Sequence, residues 1–425
     1  MIETMLRSRY EREHLQQFSR EALARYQLLS LNQLLSEILP RNRFYQAKLG
    51  DKRHLDSLDQ LAELPFTLKE ELIGNSESGF AANLTYDVDH YVRFHRTSGT
   101  RGRPLVVLDA AEDWDWWLET WQFVLDAAQI ESYDRVFMAF SFGPFIGFWS
   151  AHDAAIARGA LVIPGGGLGS LARLELMQTA GSTVMFCTPS YALHLAEVAK
   201  QNSIDIAASQ VSRIVVAGEP GGSIPAVRQR IESAWNARVI DHSGASEIGP
   251  WGFADPEGRG LFVNESEFIA EFFAVESGQS AGEGELAELV LTTLGRPGCP
   301  TIRYRTGDLV RPVWQHENEC RFVLLDGGVL GRVDDMMVIR GVNIYPGSIE
   351  QVLRSFPEIL EYRLTAHKNG EMDALTIEIE DELNDPQRVA TELNLRIGLK
   401  IDVRTVPLGT LPRFDAKGKR FIDLR

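Results

Sequence analysis

Short apolar runs separated by amphipathic segments are the feature that most constrains the fold of this chain. The runs at 135–140, 160–164, 183–188 and 213–217 predict strands, and the tryptophan-rich segment 110–128 predicts a helix. Such an alternation favours parallel strands that are covered by helices on both faces. In sheets of this kind, ligands bind beyond the carboxyl ends of the strands.

The remaining segments indicate a second structural unit. At 425 residues the chain exceeds one typical hydrophobic core. Residues 1–50 carry a helical pattern, and short strands with glycine turns over 259–325 predict an antiparallel subdomain. Beyond Gly331, strands and helices alternate as in a small α+β domain of roughly 90 residues. The predicted class is α/β, with mostly parallel sheets in a large N-terminal domain and a smaller α+β domain at the C-terminus.

Charge and composition exclude several classes of partner. A formal net charge of −16 argues against nonspecific binding to nucleic acid or to an anionic membrane surface. No apolar run approaches the roughly 20 residues of a membrane span. The N-terminus has no hydrophobic secretory core, which predicts a cytoplasmic protein. Three widely spaced cysteines form neither a disulfide framework nor a zinc cluster.

The segment 95–104 (HRTSGTRGRP) concentrates hydroxyl, glycine and arginine residues just before the apolar run 105–108. The glycines allow a tight turn whose N–H groups approach a ligand, and the hydroxyls and guanidinium groups suit phosphate oxygens. An ordinary polar hairpin is the alternative, since such turns are common. The phosphate-binding candidates are Thr97, Ser98, Gly99, Thr100, Gly102 and Arg103.

Five further blocks follow in order: 217–220 (AGEP), 243–247 (SGASE), 304–309 (YRTGDL), 331–335 (GRVDD) and the basic ending 411–420 (LPRFDAKGKR). Together with the loop they resemble the adenylate-forming enzymes, which include acyl-CoA synthetases, adenylation domains and luciferases. The length and the segment 64–69 (LPFTLK) look most like the phenylacetate-CoA ligase branch.

The resemblance implies a reaction in two steps. A carboxylate attacks the α-phosphate of ATP to give an acyl-adenylate and pyrophosphate, and a thiol then displaces AMP. The loop at 97–103 would hold the β- and γ-phosphates, with Arg103 where the family commonly has lysine. Glu247 would hold Mg²⁺ as the metal ligand and a catalytic residue, whereas a lone glutamate elsewhere is usually a solvated loop charge. CoA is the expected thiol cofactor.

The same resemblance implies an adenosine site. Asp308 would accept the ribose hydroxyls, although a turn aspartate is also common without a ligand. Arg332 would face the ribose or the phosphates as a further catalytic residue. Ser243 stands where the family usually has tyrosine, so His242 is a candidate for the adenine platform. The residues expected around the base are Gly218, Glu219, Pro220, His242, Ser243 and Gly244.

A mobile lid is also implied by the resemblance. The division is residues 1–333 for the N-terminal domain and 334–425 for the lid, with Asp334 as the hinge. Lys417 matches the catalytic lysine of the family's ending, where it would bridge the carboxylate and the α-phosphate. Ala416 replaces a glycine of that ending, so Lys419 is the alternative catalytic lysine. A basic tail is otherwise usually solvated charge.

The acyl pocket is predicted at the aromatic cluster around 140–149. Flat aromatic walls suit a planar aryl carboxylate, whereas aromatic clusters more often belong to a hydrophobic core. The substrate-binding candidates are Phe142, Phe145, Phe148, Gly165 and Ala245.

An aryl-CoA ligase is therefore the favoured hypothesis. One alternative passes the adenylate to a carrier-protein thiol or to an inorganic nucleophile such as nitrite. Another is a nucleotide-binding protein without catalysis, because Arg103, Ser243 and Ala416 depart from the family pattern. A small carboxylic acid is the expected substrate, and a homodimer is possible. The sequence leaves the acid, the acceptor and the oligomeric state undetermined.

Overall fold

The computed structural model describes residues 6–73, 79–97, 104–315, 319–335, 337–339, 342–369, 372–397, 399–413 and 420–425. The α-helices within these ranges are α1 (Arg9–Gln16), α2 (Arg20–Ile38), α3 (Arg43–Leu49), α4 (Lys69–Ile73), α5 (Ala111–Ala127), α6 (Ile146–Ala157), α7 (Ser170–Ala180), α8 (Pro189–Gln201), α9 (Pro225–Trp235), α10 (Pro346–Arg354) and α11 (Pro386–Ile397). Short 3-10 helices lie at Leu58–Glu63, Val88–His90 and Val333–Asp335.

The strands of the N-terminal part are β1 (Arg93–Arg96), β2 (Val106–Asp109), β3 (Arg135–Met138), β4 (Leu161–Pro164), β5 (Val184–Cys187), β6 (Arg213–Val216), β7 (Arg238–Ala245), β8 (Gly249–Ala254), β9 (Gly260–Val263), β10 (Phe268–Ala274), β11 (Ala287–Thr293), β12 (Tyr304–Val310), β13 (Pro312–Val313), β14 (Leu324–Asp326) and β15 (Gly331–Arg332). Those that follow are β16 (Met337–Ile339), β17 (Val342–Ile344), β18 (Ile359–Asn369), β19 (Met372–Asp381), β20 (Asp402–Thr405) and β21 (Phe421–Asp423).

A nine-stranded mixed sheet, in the order β13-β14-β9-β8-β7-β6-β5-β3-β4, forms the centre of the molecule. Strands β3 to β7 pair in parallel, as the apolar runs predict. Alternate residues of these strands face opposite cores. Val184 and Phe186 pack with α5 and α6 on one face, whereas Met185 and Ile214 pack with α7, α8 and α9 on the other. Burial of both faces accounts for continuous apolar runs.

The antiparallel region begins earlier than the sequence predicts. After β7 the chain turns at Ser246–Ile248 and returns as β8, which pairs antiparallel with β7 and extends the same central sheet. A separate antiparallel sheet has the order β10-β11-β12-β15. Helix α2 packs on this second sheet through Leu31 and Ile38, which join a core with Ile302. The N-terminal helices are thus a cover, as predicted.

The C-terminal unit, residues 342–425, contains a four-stranded sheet in the order β20-β19-β18-β21. Its two outer strands pair in parallel with the long β18–β19 hairpin, and α10 and α11 supply its core with β18 and β19. Strand β21 was not predicted, because three residues at the end of the chain carry too short a pattern. Strand β17 was not predicted either, whereas the other strands and helices of this unit match the predicted α+β order.

Arg413 links the C-terminal unit to the central sheet region. Its Nη2 lies 2.8 Å from Oε2 of Glu380 on β19, and its Nε lies 3.5 Å from Oε2 of Glu197 on α8. Nearby, Nη1 of Arg230 on α9 donates to the carbonyl of Ile359 at 3.1 Å. The Arg413–Glu197 and Arg230–Ile359 contacts between the two parts of the chain are therefore polar.

Arg420 forms a second link of the same design. Its Nε lies 2.6 Å from Oε1 of Glu361 on β18, and its Nη1 lies 3.6 Å from Oε2 of Glu219. Arg413 and Arg420, the bridging arginines, each pair with one carboxylate of the C-terminal unit and one of the larger part. They flank residues 414–419, which lie outside the described residues.

Within the described ranges, no helix has both the length and the apolar character needed to cross a membrane.

Shortening Phe186 to alanine should destabilise the central sheet. The ring is 2% exposed and packs in the core that α5 and α6 share with the parallel strands. Phe186→Ala should lower the free energy of unfolding by about 3–5 kcal/mol, through lost burial and the cavity left behind. Chemical denaturation checks this value. Tyr133→Ala, at a side chain 76% exposed, is the control, and an equal loss there would contradict the assignment.

Candidate active site

The segments that follow the parallel strands all lie at one edge of the central sheet. The carboxyl ends of parallel strands meet at the same edge, so residues distant in sequence come together there. Strand β3 leads into the aromatic segment, β4 into Gly165, β6 into Gly218 and β7 into Glu247. The edge of the sheet therefore assembles four of the predicted site segments.

The base of the predicted phosphate loop is a short antiparallel hairpin of β1 and β2. Thr97 closes it, because its N–H donates to the Leu105 carbonyl at 2.9 Å and its hydroxyl accepts from the Leu105 N–H at 3.0 Å. The Arg96 N–H donates to the Pro144 carbonyl at 2.8 Å, which places the aromatic segment beside this hairpin. The candidates Ser98, Gly99, Thr100, Gly102 and Arg103 lie outside the described residues.

Glu247 is buried at the turn after β7. Its Oε1 lies 2.8 Å from Nζ of Lys69, the first residue of α4, and its side chain is 7% exposed. Tyr304 lies close enough for the Glu247 charge to act on it, and burial first, then this charge, raises the pKa of the Tyr304 hydroxyl well above its usual range. A carboxylate is a hard oxygen ligand of the kind that Mg²⁺ prefers.

The donor set at Glu247 fits Mg²⁺ of the kind that binds with a substrate phosphate. Such ions take one or two carboxylates, keep several waters and complete their coordination with phosphate oxygens. Among the described residues, no group of three or more His, Cys, Asp and Glu side chains could enclose a metal. A single carboxylate at this turn would therefore need phosphate oxygens and water to complete a Mg²⁺ site, and the metal role of Glu247 stays a prediction.

Asp308 and Arg332 meet across paired strands. Their Cα positions are partners in the β12–β15 ladder, and Nη1 of Arg332 donates to Oδ1 of Asp308 at 2.9 Å. Nη2 of Arg332 lies 3.6 Å from Oδ2 of Asp334, whose side chain is exposed. Gly307 has a φ of +72°, so it permits the turn that presents Asp308. Arg332 thus fixes the orientation of the predicted ribose-binding carboxylate.

The segment 218–220 follows β6 at the same edge. Gly218 has a φ of +89°, which favours glycine at this turn. The carboxylate of Glu219 accepts from the Ser190 N–H at 2.7 Å and faces Arg420. The Glu219 side chain is therefore occupied by contacts within the protein. The predicted contact of this segment with adenine would then involve its backbone and Pro220.

His242 differs from the predicted adenine platform. Its ring is 6% exposed, lies 4.2 Å from the Trp121 ring and meets the Gly252 carbonyl through Nδ1 at 2.7 Å. Burial lowers the pKa of His242 to about 4, so the imidazole is neutral at pH 7. The ring belongs to the core under α5, whereas Ser243, Gly244 and Ala245 are only partly covered or exposed.

The aromatic segment after β3 forms a wall of rings, defined by Phe140, Phe142, Phe145, Phe148 and Trp149. Ring centroids are 4.4 Å apart for Phe140 and Phe148, and 4.9 Å apart for Phe142 and Trp149. None of the five is fully buried, in contrast to the core phenylalanines of the same sheet. The ring wall therefore borders the core, against which Phe140, Phe142 and Trp149 pack, and leaves part of its ring surface exposed.

Gly165 lies buried at the end of β4, behind the ring wall. A Cβ at this position would lie 2.6 Å from the Phe137 ring, so only glycine fits without a shift. Its carbonyl accepts from Nε of Arg173 at 2.9 Å. Gly165 thus shapes the backbone of the site from behind.

Lys69 and Arg296 are the residues of this region that the sequence reasoning missed. Lys69 lies in the segment 64–69, which contributed to the family resemblance but was assigned no catalytic or binding role. Arg296 is fully buried and donates through Nη1 to the carbonyls of Ser246 and Glu247, both at 3.0 Å. The predicted catalytic Lys417 and its alternative Lys419 lie outside the described residues.

Comparisons with known proteins agree with this geometry. Residues 341–425 match the sequence model of the AMP-binding enzyme C-terminal domain. The phenylacetate-coenzyme A ligase of Escherichia coli K12 is 32% identical over 391 residues, which cover 88% of each chain. That of Thermus thermophilus is 29% identical, over 97% of this chain and 98% of the relative.

A solved structure of 2-hydroxyisobutyryl-CoA ligase, in the postadenylation state in complex with R3-HIB-AMP, superimposes with a TM-score of 0.91. It is 25% identical and covers 100% of this chain and 95% of that one. A structure of the same ligase in the thioesterification state superimposes with a TM-score of 0.74. It is also 25% identical and covers 100% of this chain and 94% of that one. Likeness over the whole length, together with the E. coli relative, shows that the chain belongs to the phenylacetate-CoA ligase family of adenylate-forming enzymes, which are AMP-forming acid–CoA ligases.

Proposed function

We propose that this enzyme activates an aryl or arylacetic acid with ATP and transfers the acyl group to the thiol of CoA. The observation that carries the choice of acid is the ring wall beside the phosphate-loop hairpin. Because its rings are only partly buried, they offer flat apolar surface to a ligand. The Arg96–Pro144 backbone hydrogen bond holds this surface next to the strand that leads into the loop.

The fold alone does not choose the acid. A ligase named for 2-hydroxyisobutyrate, an aliphatic acid, shares the fold over the whole chain, whereas the E. coli and Thermus relatives are named for phenylacetate. Selectivity must therefore come from the side chains that line the pocket. The ring wall, with Gly165 behind it and Ala245 at the end of β7, supports a planar aromatic substrate.

For adenylate formation, we assign the phosphate loop to the β- and γ-phosphates and Glu247 to Mg²⁺. When bound, Mg²⁺ neutralises phosphate charge and fixes phosphate geometry. Lys69 orients the Glu247 carboxylate through their ion pair. Asp308, held by Arg332, is assigned to the ribose hydroxyls. Positioning and charge neutralisation are what phosphoryl chemistry asks of a protein.

We assign the second step to a changed position of the predicted lid, residues 334–425, which contains the C-terminal unit and has Asp334 as its proposed hinge. The likeness to a postadenylation-state structure supports reading the present arrangement as the one that follows adenylation. Lys417 is proposed to neutralise charge at the α-phosphate during adenylation. Arg332 and the segment 218–220 would remain with the nucleotide through both steps.

The ring wall should control affinity for the acid. Phe148→Ala should raise the KM for phenylacetate or benzoate by about 10-fold in ATP–pyrophosphate exchange, since burial of a ring surface contributes on the order of 1–3 kcal/mol. The KM for ATP should not change. Ile156→Ala on the same helix, 52% exposed, is the matched control. Exchange with 2-hydroxyisobutyrate but not with aryl acids would refute the aryl assignment.

The acceptor is tested in the same assay by adding CoA or nitrite after the adenylate has formed. Release of AMP together with an aryl-CoA thioester is expected with CoA. Turnover with nitrite alone would identify the alternative acceptor, and ATP binding without exchange for any acid would indicate an inactive enzyme.

Glu247→Gln should lower the rate of adenylation by at least about 10²-fold, because an amide is a weaker ligand for a hard cation. The fold should survive, since glutamine keeps the size of the side chain. Melting temperature and pyrophosphate exchange over a range of Mg²⁺ concentrations check both statements. Glu257→Gln, at an exposed glutamate, is the control. Unchanged exchange at limiting Mg²⁺ would remove Glu247 from the metal site.

Lys417→Ala should separate the two half-reactions. Adenylation should fall by roughly 10²-fold, the scale of one lost electrostatic donor at a developing charge. Thioester formation from a preformed acyl-adenylate should remain close to normal. Lys419→Ala is the matched control, and the opposite pattern would make Lys419 the catalytic lysine. If neither variant impairs adenylation, the tail has no catalytic role.

A further inference from the structure

The turn at 295–298 (GRPG) packs closely against the tryptophan-rich helix α5. A Cβ at Gly295 would lie 2.2 Å from Cδ1 of Trp116, and one at Gly298 would lie 2.2 Å from Oδ2 of Asp113. The Gly298 N–H donates to Oδ1 of Asp113 at 2.9 Å. Both glycines are therefore required by close packing, which fixes the position of Arg296 between them.

Arg296 connects two parts of the site that are far apart in sequence. Its Nε donates to Oδ1 of Asp109 at 2.7 Å, at the end of β2, the strand that follows the phosphate loop. Its Nη1 donates to the carbonyls of Ser246 and Glu247. Since the guanidinium group is planar and rigid, these bonds set the distance between β2 and the turn that carries Glu247.

The surroundings of this group hold it in one orientation. The Arg296 guanidinium lies 5.2 Å from the centre of the Trp117 ring, and Nε1 of Trp117 donates to the same Asp109 oxygen at 3.1 Å. On the other side of Asp109, Nδ1 of His95 lies 3.8 Å from Oδ2, two residues before Thr97. The arginine has no exposed surface, so a charge-balancing role at the surface is excluded.

We propose that Arg296 is a positioning residue for Glu247, which fixes the metal-binding carboxylate relative to the phosphate loop through the backbone of Ser246 and Glu247. The inference rests on the proposed metal role of Glu247. Groups that orient a metal ligand typically change metal affinity or activity by about 10- to 100-fold when they are replaced. The binding of metal-free ATP should be much less sensitive, since it does not depend on the position of Glu247.

The test is Arg296→Lys, which keeps the charge but has no planar fork to reach Asp109 and both carbonyls. The Mg²⁺ concentration for half-maximal pyrophosphate exchange should rise about 10-fold or more. ATP binding measured by calorimetry in EDTA should change less than about 2-fold, since it does not involve the Glu247 ligand. An unchanged Mg²⁺ dependence in a folded variant would overturn the proposal.

Arg303→Lys is the matched control. Arg303 is also buried, has a positive φ of 49°, pairs with a carboxylate (Glu271, 2.7 Å) and donates to two backbone carbonyls, but not to those of Ser246 or Glu247. A general effect of replacing a buried arginine would appear in both variants. Equal shifts in Mg²⁺ dependence would therefore contradict a specific role for Arg296.

A double variant separates positioning from simple charge compensation. Arg296→Met with Asp109→Leu removes both buried charges, which avoids the cost of leaving one unpaired. The double variant is expected to have nearly the melting temperature of the unmodified enzyme, whereas the Mg²⁺ concentration for half-maximal pyrophosphate exchange should remain raised. If the melting temperature and the Mg²⁺ dependence are both normal, Arg296 only compensates the charge of Asp109.

Combining Arg296→Lys with Glu247→Gln distinguishes this inference from the proposed metal site. If Arg296 acts through Glu247, the Arg296→Lys substitution should not change the Mg²⁺ dependence further in a protein that already carries Glu247→Gln. Additive effects would overturn the positioning role alone. A Glu247→Gln variant with normal Mg²⁺ dependence would instead refute the metal site.

Discussion

The covering of both faces of the parallel strands is the constraint on which the rest of the structure depends. Strand residues such as Phe186 and Met185 face two separate cores, so most side chains along β3, β5 and β6 are apolar. The predicted site residues lie where the strands end, and there Gly165, Gly218 and Glu247 follow three different strands. A parallel sheet of this kind converts chain order into a cluster at one edge. The chemistry is then carried by loops whose sequence can vary without disturbing the apolar framework.

The sequence predicted the structure well where neighbouring residues alone determine an element, as in a run of apolar residues that forms a strand. Four apolar runs located β3 to β6 within one to two residues, because strands that are covered on both faces carry continuous apolar sequence; β4, at the edge of the sheet, is nevertheless partly exposed. Asp308 and Arg332 were assigned to one function from separate blocks, and they proved to be partners in a single ladder. The aromatic segment was singled out as either core or pocket; its partial exposure became visible only in the structure, and its role in binding the acid stays a prediction.

Three-dimensional proximity accounts for what the sequence did not reveal. Lys69 meets Glu247, and Arg296 meets Asp109, through contacts between segments more than a hundred residues apart. No sequence motif around Lys69 or Arg296 predicts which carboxylate the residue pairs with. His242 was expected near adenine because it adjoins Ser243, but side chains alternate along β7 and the imidazole points into the core beside Trp121. Sequence adjacency does not indicate which face of the strand a side chain takes, and the adenine role of His242 stays a prediction.

The bridging arginines have a consequence for how the enzyme passes between its states. Their contacts inside the C-terminal unit, 2.8 Å for Arg413 and 2.6 Å for Arg420, are shorter than those to the larger part, 3.5 Å and 3.6 Å. In the proposed change of position, the two longer ion pairs and the Arg230–Ile359 hydrogen bond would break. Each bridging arginine would keep its carboxylate within the C-terminal unit, and Glu219 would keep the Ser190 N–H. These three groups would therefore retain a polar partner on both sides of the separation, which lowers the free-energy cost of the movement.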